Sequence, residues 1–363
     1  MVQEQISPFR LANQQVSQHR FTKPKEVVQW MGAMQAQDYG MVRWAVGLRL
    51  PEPAIQSVQR AIDKGEIIRT HLMRPTWHLV SAKDVRWILD LTAPHIQRSL
   101  KSRLKELELS PAVLSKAIKV LEATLASGDH LTRDELISAL EKNKISGRDQ
   151  RAAHILMWAE LEKIICSGAL RGKKNTYAHF DTRVKPQKAT GRDEGLQKLA
   201  RRYFASHGPA TLSDFINWSG LPALDARKSL ALAEKHILSE RIGSTVYWFT
   251  ERVEQRSIKD SVFLLPAFDE FIIGYKDRSA CLSSLHKPSA ISVNGILWPL
   301  IVFNGQVVGL WKKTLVKKQV RLQHEFFPSR YLVQSKKFES LLRDASDKVS
   351  MFFSADADGR DAK

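Results

Sequence analysis

Gln35-Ala36-Gln37, continued by Asp38-Tyr39-Gly40, sets two carboxamides one residue apart between an amphipathic segment and a glycine. A carboxamide has no useful pKa, so neither glutamine is a general acid or base. Each offers an oxygen with two lone pairs and two N–H donors, enough to hold a water or grip a polar edge. Chemistry that needs only a placed water is chemistry with a good leaving group. The spacing also carries a geometric condition. On a continuous helix, residues two apart point about 200° from each other; in extended or turn backbone they share a face. Joint action of Gln35 and Gln37 therefore requires the helix to break at or near Gln35. The residues alone leave two readings open, a cooperating pair or one glutamine closing the helix with the other solvated.

The second unusual run is Arg69-Thr70-His71-Leu72-Met73-Arg74-Pro75-Thr76-Trp77-His78. Alternation puts Thr76 and His78 on one face and Trp77 on the other, while Arg69 and Arg74 flank a turn and suit phosphates. The plain alternative is a hairpin with polar residues outward and Trp77 in the core.

Charge supplies the partner. Lys and Arg number 56 against 38 Asp and Glu, a formal +18 in 363 residues. A polyanion is the economical explanation, because neutralised phosphates release counterions. The basic residues are spread along the chain rather than gathered on one amphipathic helix, which makes a membrane surface the weaker reading. Joined to water-only chemistry, this charge points to nucleic acid and to an alkylated base.

Absent patterns narrow the field. The sequence has no GxxxxGK[ST], GxGxxG-opened βαβ unit, HExxH or GxSxG, and its histidines show no paired metal-ligand spacing. No cofactor and no metal are expected. Cys166 and Cys281 stand alone and read as free buried thiols in a reducing compartment. Met1 to Gln15 has no apolar signal-peptide core, and Gly295 to Phe303 is far too short to span a bilayer. A cytoplasmic, nucleoid-associated protein is expected.

The elements that must position these residues follow from periodicity. With 43% hydrophobic residues the chain can bury substantial cores, and its length suggests two or three domains of roughly 150 residues. Val27, Val28, Met31 and Met34 mark a helix over Lys23 to Met34. Ala54 to Lys64 is a second helix, closed by Gly65. Ile67 to Met73 and Thr76 to Val80 then form a hairpin. The order recurs. Thr132 and Glu135 form a capping box, a turn at Gly147 leads into a helix from Asp149 to Ile165, and a hairpin follows with Lys173 and Lys174 at its tip. A third copy has helices over Thr211 to Trp218 and Pro222 to Lys235, then strands Ile237 to Ile242 and Val246 to Phe249.

The predicted fold is therefore α+β, with three tandem winged-helix units (helix-turn-helix plus β-hairpin) at 1–105, 106–182 and 190–255. Asp181 to Asp193 reads as a linker. A C-terminal β-rich element covers 256–350, with a hairpin turning on Asn304-Gly305 and a helix from Ser335 to Val349. Residues 351–363 read as a disordered tail. In winged helices the second helix enters a groove and the wing touches backbone. The expected DNA contacts are accordingly Arg69, Arg74, Thr76, His78, Arg148, Arg151, Lys173, Lys174, Arg227, Lys228, Arg278, Lys312 and Lys313. The basic cluster at the last two continues through Lys317, Lys318 and Arg321.

Four segments carry a resemblance. They are Met34-Gln35-Ala36-Gln37-Asp38-Tyr39; Arg69-Thr70 with Met73-Arg74-Pro75-Thr76-Trp77-His78-Leu79-Val80; Leu264-Leu265-Pro266-Ala267-Phe268-Asp269-Glu270 with Tyr275-Lys276-Asp277-Arg278; and Asn304-Gly305-Gln306-Val307-Val308-Gly309-Leu310-Trp311-Lys312. In this order, from about residue 9 to about 345, they resemble the bacterial winged-helix HTH_42 family, whose studied AlkZ and YcaQ (AlkX) types are DNA glycosylases. The resemblance implies three winged-helix units in a C-shaped scaffold around duplex DNA. It also implies hydrolysis of the N-glycosidic bond of bulky N7-alkylguanine, including unhooking of interstrand crosslinks. The family's Gln–apolar–Gln element falls on Gln35, Ala36 and Gln37, which it makes the catalytic pair. The YcaQ branch carries an acid at the second position, so this chain looks closer to the AlkZ branch. One departure is Pro75, where the hairpin turn usually has glycine, and it bears on how closely that loop approaches DNA.

The implied partner is double-stranded DNA carrying alkylated guanine, met by a monomer. A non-catalytic winged-helix regulator is the competing reading, and a protein scaffold with incidental charge the third. Three modules in one chain already form an asymmetric clamp, unlike regulators that dimerise on palindromes.

Overall fold

A computed structural model describes residues 3–250, 260–316, 319–328 and 335–358. It mixes α and β, with four small antiparallel sheets and no barrel among the described residues. Helix α1 (Ile6–Asn13) precedes α2 (Pro24–Met31), whose apolar stripe Val27, Val28 and Met31 is buried. Helix α2 stops three residues earlier than periodicity predicts. Gly32, at φ +79°, ends it, and Met34 belongs instead to strand β1 (Ala33–Gln35). Glycine is the residue that adopts this backbone freely. Helices α3 (Tyr39–Gly47) and α4 (Ile55–Asp63) then lead to β2 (Ile67–Leu72) and β3 (Thr76–Ser81). The sheet order is β1-β3-β2, so the first hairpin gains a third strand that ends on Gln35.

Helices α5 (Val85–Glu106) and α6 (Pro111–Leu125) carry the chain to a second sheet. There β4 (Leu131–Thr132), α7 (Arg133–Lys142) and α8 (Arg151–Leu161) are followed by β5 (Ile165–Ser167) and β6 (Thr176–His179), in the order β4-β6-β5. Thr132 and Glu135 form the expected capping box. Helix α8 starts later than Asp149 because Asp149 and Gln150 sit at φ +52° and +69°, outside helical space. The segment read as a linker begins inside a short helix, α9 (Phe180–Arg183), and ends inside α10 (Arg192–Ser206). Val184, inside that stretch, is buried and ties it to the core. Helices α11 (Leu212–Ser219) and α12 (Ala223–Ala233) precede β7 (Leu238–Ile242) and β8 (Thr245–Phe249).

The C-terminal element is a four-stranded sheet in the order β12-β11-β10-β9, made of β9 (Val262–Leu265), β10 (Leu300–Phe303), β11 (Gln306–Val316) and β12 (Gln319–Phe326). Short helices α13 (Glu270–Ile273) and α14 (Lys287–Ala290) lie between β9 and β10. The hairpin turns on Asn304-Gly305 as expected, both at positive φ. Lys317 and Lys318 lie outside the described residues. The sheet is joined to α3 through Trp44, while Trp311 ties β11 to β9 within the sheet. Trp44 Nε1 donates to Leu264 O at 2.7 Å, and Trp311 Nε1 donates to Leu265 O at 2.7 Å.

The expected disordered tail is corrected in part. Helix α15 runs from Lys336 to Asp358, because Phe352 and Phe353 are buried. Phe352 packs edge-on against Trp44 at 5.1 Å, and burying a Phe contributes about 1.5–3 kcal/mol. Residues 359–363 lie outside the described residues.

Gly220 ends α11 in the left-handed conformation at φ +67°. A Cβ built on it would fall 2.6 Å from Met73 O, in the turn between β2 and β3. One glycine thus lets the third helical stretch press on the first hairpin. Gly220→Ala is expected to destabilise the protein by about 1–3 kcal/mol, since it adds both φ strain and overpacking. A urea midpoint equal to wild type would contradict this contact.

Candidate active site

Strand β1 puts the Gln35 segment in extended backbone, with Gln35 opposite His78 in register. Ala36 N–H donates to Trp77 O at 2.7 Å. Ala36 is fully buried, whereas Gln35 is half-buried and Gln37 exposed. The strand ends at Gln35, and Gln37 lies just beyond it in a bend; of the three residues only Ala36 is packed into the core. Asp38 does not act with them as a free charge. Its carboxylate caps α3, accepting from Met41 N–H at 2.9 Å.

Three groups hold this segment from below. Arg69 donates to Ala36 O through Nε (3.2 Å) and Nη2 (3.0 Å). Its guanidinium lies 4.1 Å from the Trp77 ring centroid, a cation–π stack. Arg74 Nη2 donates to Gln35 Oε1 at 3.1 Å. That bond takes one of the oxygen's two lone pairs and leaves the other, with both N–H donors, for a ligand. The third group is Glu270, whose Oε1 accepts the Gln35 backbone N–H at 2.7 Å.

Glu270 is 2% exposed. Its Oε2 accepts from Trp218 Nε1 at 3.2 Å and faces His207 Nε2 at 3.4 Å. Burial alone would raise this carboxyl, but the His207 ring and the Gln35 N–H outweigh it and hold it below its ordinary range. Its neighbour Asp269 forms a bidentate pair with Arg49 at 2.8 and 2.9 Å, both side chains fully buried. Asp269 also caps α13 through Phe271 N–H, and Arg49 reaches Gln14 Oε1 at 3.0 Å. Gln14 in turn donates to Tyr275 Oη and to Glu270 O. A continuous buried polar network thus runs from the N-terminal helix through the third helical stretch to the glutamine strand.

His78 is buried beneath Gln35, and its Nδ1–H donates to Thr76 O at 2.9 Å. Burial, reinforced by the charge of Arg74, pushes the imidazole down to about 4, so it is neutral at physiological pH. A neutral His78 leaves Arg69, Arg74 and Glu270 as the charges bonded to the glutamine segment.

The remaining expected contact residues divide by placement. Arg69 and Arg74, both half-buried, bond the glutamine segment, and His78 is buried opposite Gln35. Arg151 is tied to the carbonyls of Ser146 and Leu107. Arg278 donates to Ile272 O at 3.1 Å and is half-buried. Lys228 pairs with Asp193 at 2.6 Å, and Lys313 lies 3.8 Å from the Phe353 ring centroid. Arg148, Lys173, Lys174, Arg227 and Lys312 are exposed, and Thr76 is half-buried beside the turn. Sequence reasoning gave no role to Glu270, Trp218, His207 or the Arg49–Asp269 pair. The available signal was two acids adjoining the apolar Leu264 to Phe268 and Phe271 to Ile273, since buried charges require partners. Both cysteines are buried thiols, pushed up to about 12. Among the described residues no group of three or more His, Cys, Asp or Glu is placed to hold a metal, and no helix is long and apolar enough to cross a membrane.

A family model described as "DNA glycosylase AlkZ-like" matches residues 28–345. A Streptomyces sahachiroi protein named "Interstrand DNA cross-link repair glycosylase" is 24% identical over 326 residues, 85% of this chain and 87% of that protein. The solved structure of Streptomyces sahachiroi DNA glycosylase AlkZ superposes with a TM-score of 0.80 at 20% identity, covering 97% of this chain and 96% of that one. It supports the fold.

The depressed His78 sets a pH dependence. The folded ring resists protonation down to about 4, while the unfolded ring takes a proton below about 6.5. Stability from this group is complete above about 6.5 and declines as the pH falls toward 4, by up to about 3 kcal/mol. Buried His207, also lowered, adds in the same direction. Urea midpoints measured from pH 7 to pH 4 should fall, and His78→Gln should show a shallower decline. Equal slopes for the two proteins would refute a buried neutral His78.

Proposed function

This chain belongs to the AlkZ-like DNA glycosylase family, hydrolases of N-glycosyl bonds; on that premise we propose that it excises bulky N7-alkylguanine from duplex DNA. The single observation that carries this reading is the end of strand β1, where Gln35 is fixed at both its backbone N–H and its side-chain oxygen and, across buried Ala36, Gln37 is exposed.

N7-alkylation leaves guanine cationic, so the base departs as a neutral group without protonation by the protein. The sugar gains oxocarbenium character. A water donating its two hydrogens to Gln35 Oε1 and Gln37 Oε1 keeps a lone pair aimed at C1′. The new C–O bond forms at C1′ as the C1′–N9 bond breaks, and that electron pair neutralises the base. The surplus water proton passes to solvent, since a glutamine cannot take it. Preorganised dipoles are the kind of group that lowers such a barrier. Neutral His78 adds no charge beside the developing cation, and the Glu270 carboxylate offsets one of the two nearby guanidiniums, Arg69 and Arg74.

The printed activity of the Streptomyces relative, cross-link repair, supports including interstrand crosslinks among the substrates. A crosslinked base cannot be flipped from the stack as a single lesion can, which favours an exposed site such as Gln37. We read the three helix-plus-sheet stretches as winged-helix units at 1–105, 106–182 and 190–255. With the element at 256–350 they form a monomeric, C-shaped clamp, working at the nucleoid. Exposed Arg148, Lys173, Lys174, Arg227 and Lys312 are the cations best placed for phosphates.

Release of modified base from a duplex carrying one site-specific N7-alkylguanine tests the chemistry. Gln35→Ala and Gln37→Ala should each slow single-turnover release by about 100-fold or more with duplex affinity retained. Wild-type rates in both variants would overturn the assignment, and background release by wild type itself would leave a DNA-binding protein. Lys173→Ala should reduce the slope of log affinity against log salt by about 0.9 if the lysine neutralises a phosphate. An unchanged slope would remove it from the interface.

A further inference from the structure

Resting on that reading, we propose that an apolar cleft beside the glutamine strand binds the substituent carried by the alkylated guanine, selecting planar aromatic groups over small alkyl ones. The cleft has a volume of about 820 Å³ and lies where the first turn of α3, the loop before α13 and the β11–β12 hairpin meet. Asp38, the residue after Gln37, lines it together with Met41. It therefore begins one residue beyond Gln37, a Cα–Cα step of about 3.8 Å, with Gln37 itself outside its lining.

Its walls are suited to an aromatic guest. Phe268, Ile296, Trp298 and Leu310 line it, and Ile296 (40%) and Trp298 (44%) are among the few large apolar side chains left exposed. Apolar groups left in water together, rimmed by charge, mark a binding surface. Lys312 and Asp38 supply the rim, the first matching a phosphate and the second a cationic adduct. The volume falls in the range of roughly 300–1,000 Å³ that holds a drug-sized molecule, far more than a methyl group needs.

Phe268 supplies the mechanical link. It holds φ +57°, an uncommon backbone for an aromatic residue that persists only where the surroundings fix it. What fixes it is next in sequence. Asp269 is clamped by Arg49, and Glu270 holds the Gln35 N–H. One loop presents an aromatic wall to the cleft and a carboxylate to the reacting strand, so a guest seated on Phe268 and Trp298 is held at a fixed distance from Gln37.

The test uses the full chain and three duplexes of one sequence, carrying undamaged guanine, N7-methylguanine, or N7-guanine bearing a naphthyl-sized aromatic group. Affinity is measured under single-turnover conditions before release, and release is measured separately. Wild type should bind the aromatic-adduct duplex at least 10-fold tighter than the methyl-adduct duplex, and Trp298→Ala should lower that ratio about 10-fold. A ratio near one in wild type, or an unchanged ratio in Trp298→Ala, overturns the proposal. Ile296→Glu, a surface change that charges the same wall, should lower the ratio too. Loss of release from both adducts with the ratio still dependent on Trp298 would keep the cleft and discard the glutamine chemistry. Intact release with a ratio independent of Trp298 would do the reverse.

Discussion

One buried carboxylate organises this molecule. Glu270 comes from the C-terminal element, accepts the Gln35 N–H of the first sheet, and accepts the Trp218 indole of the third helical stretch. Burying a charge is costly unless hydrogen bonds satisfy it, and removing one partner leaves the others exposed to that cost. Three regions distant in sequence must therefore be in place together before this carboxylate is satisfied. The Arg49–Asp269 pair one residue away fixes the loop that delivers it. Packing supplies most of the folding energy, but this network decides where the glutamine strand stands.

The arrangement separates support from chemistry. Groups with strong charge or titration, Arg69, Arg74, His78 and Glu270, lie beneath or behind the strand and fix its backbone and one carboxamide oxygen. The face toward solvent carries neutral amides. Such a surface can orient water and dipoles without proton exchange. It also explains why the strand is short. Three residues of pairing with β3 suffice when arginine bonds and a carboxylate brace the rest.

Much of this was legible in the sequence, because it rested on local rules. The two-residue spacing of Gln35 and Gln37 stated its own condition, and Gly32 met it by ending the helix early. The Thr132 capping box and the Asn304-Gly305 turn were readable for the same reason, each being complete within a few residues. What escaped was non-local. That Arg69 and Arg74 bond the glutamine segment depends on strand β1 adding to the hairpin, a pairing across some forty residues that no short window reveals. Glu270 lay within a recognisable motif, but its partners are 235 and 52 residues away. The final helix outran its expected end because Phe352 and Phe353 find Trp44 and Lys313, contacts that composition cannot announce.

The loop carrying Phe268 and Glu270 has a consequence for how such a protein can diversify. Because its backbone conformation and its two neighbours' buried bonds are fixed together, it cannot be exchanged as a cassette without unseating the strand it braces. Inheritance of new specificity is then confined to positions that share the cleft but not the brace. Trp298 and Ile296, on a separate segment and half open to water, are free to vary one residue at a time. Lineages descended from this architecture should keep the acid-bearing loop nearly frozen while the opposite wall drifts.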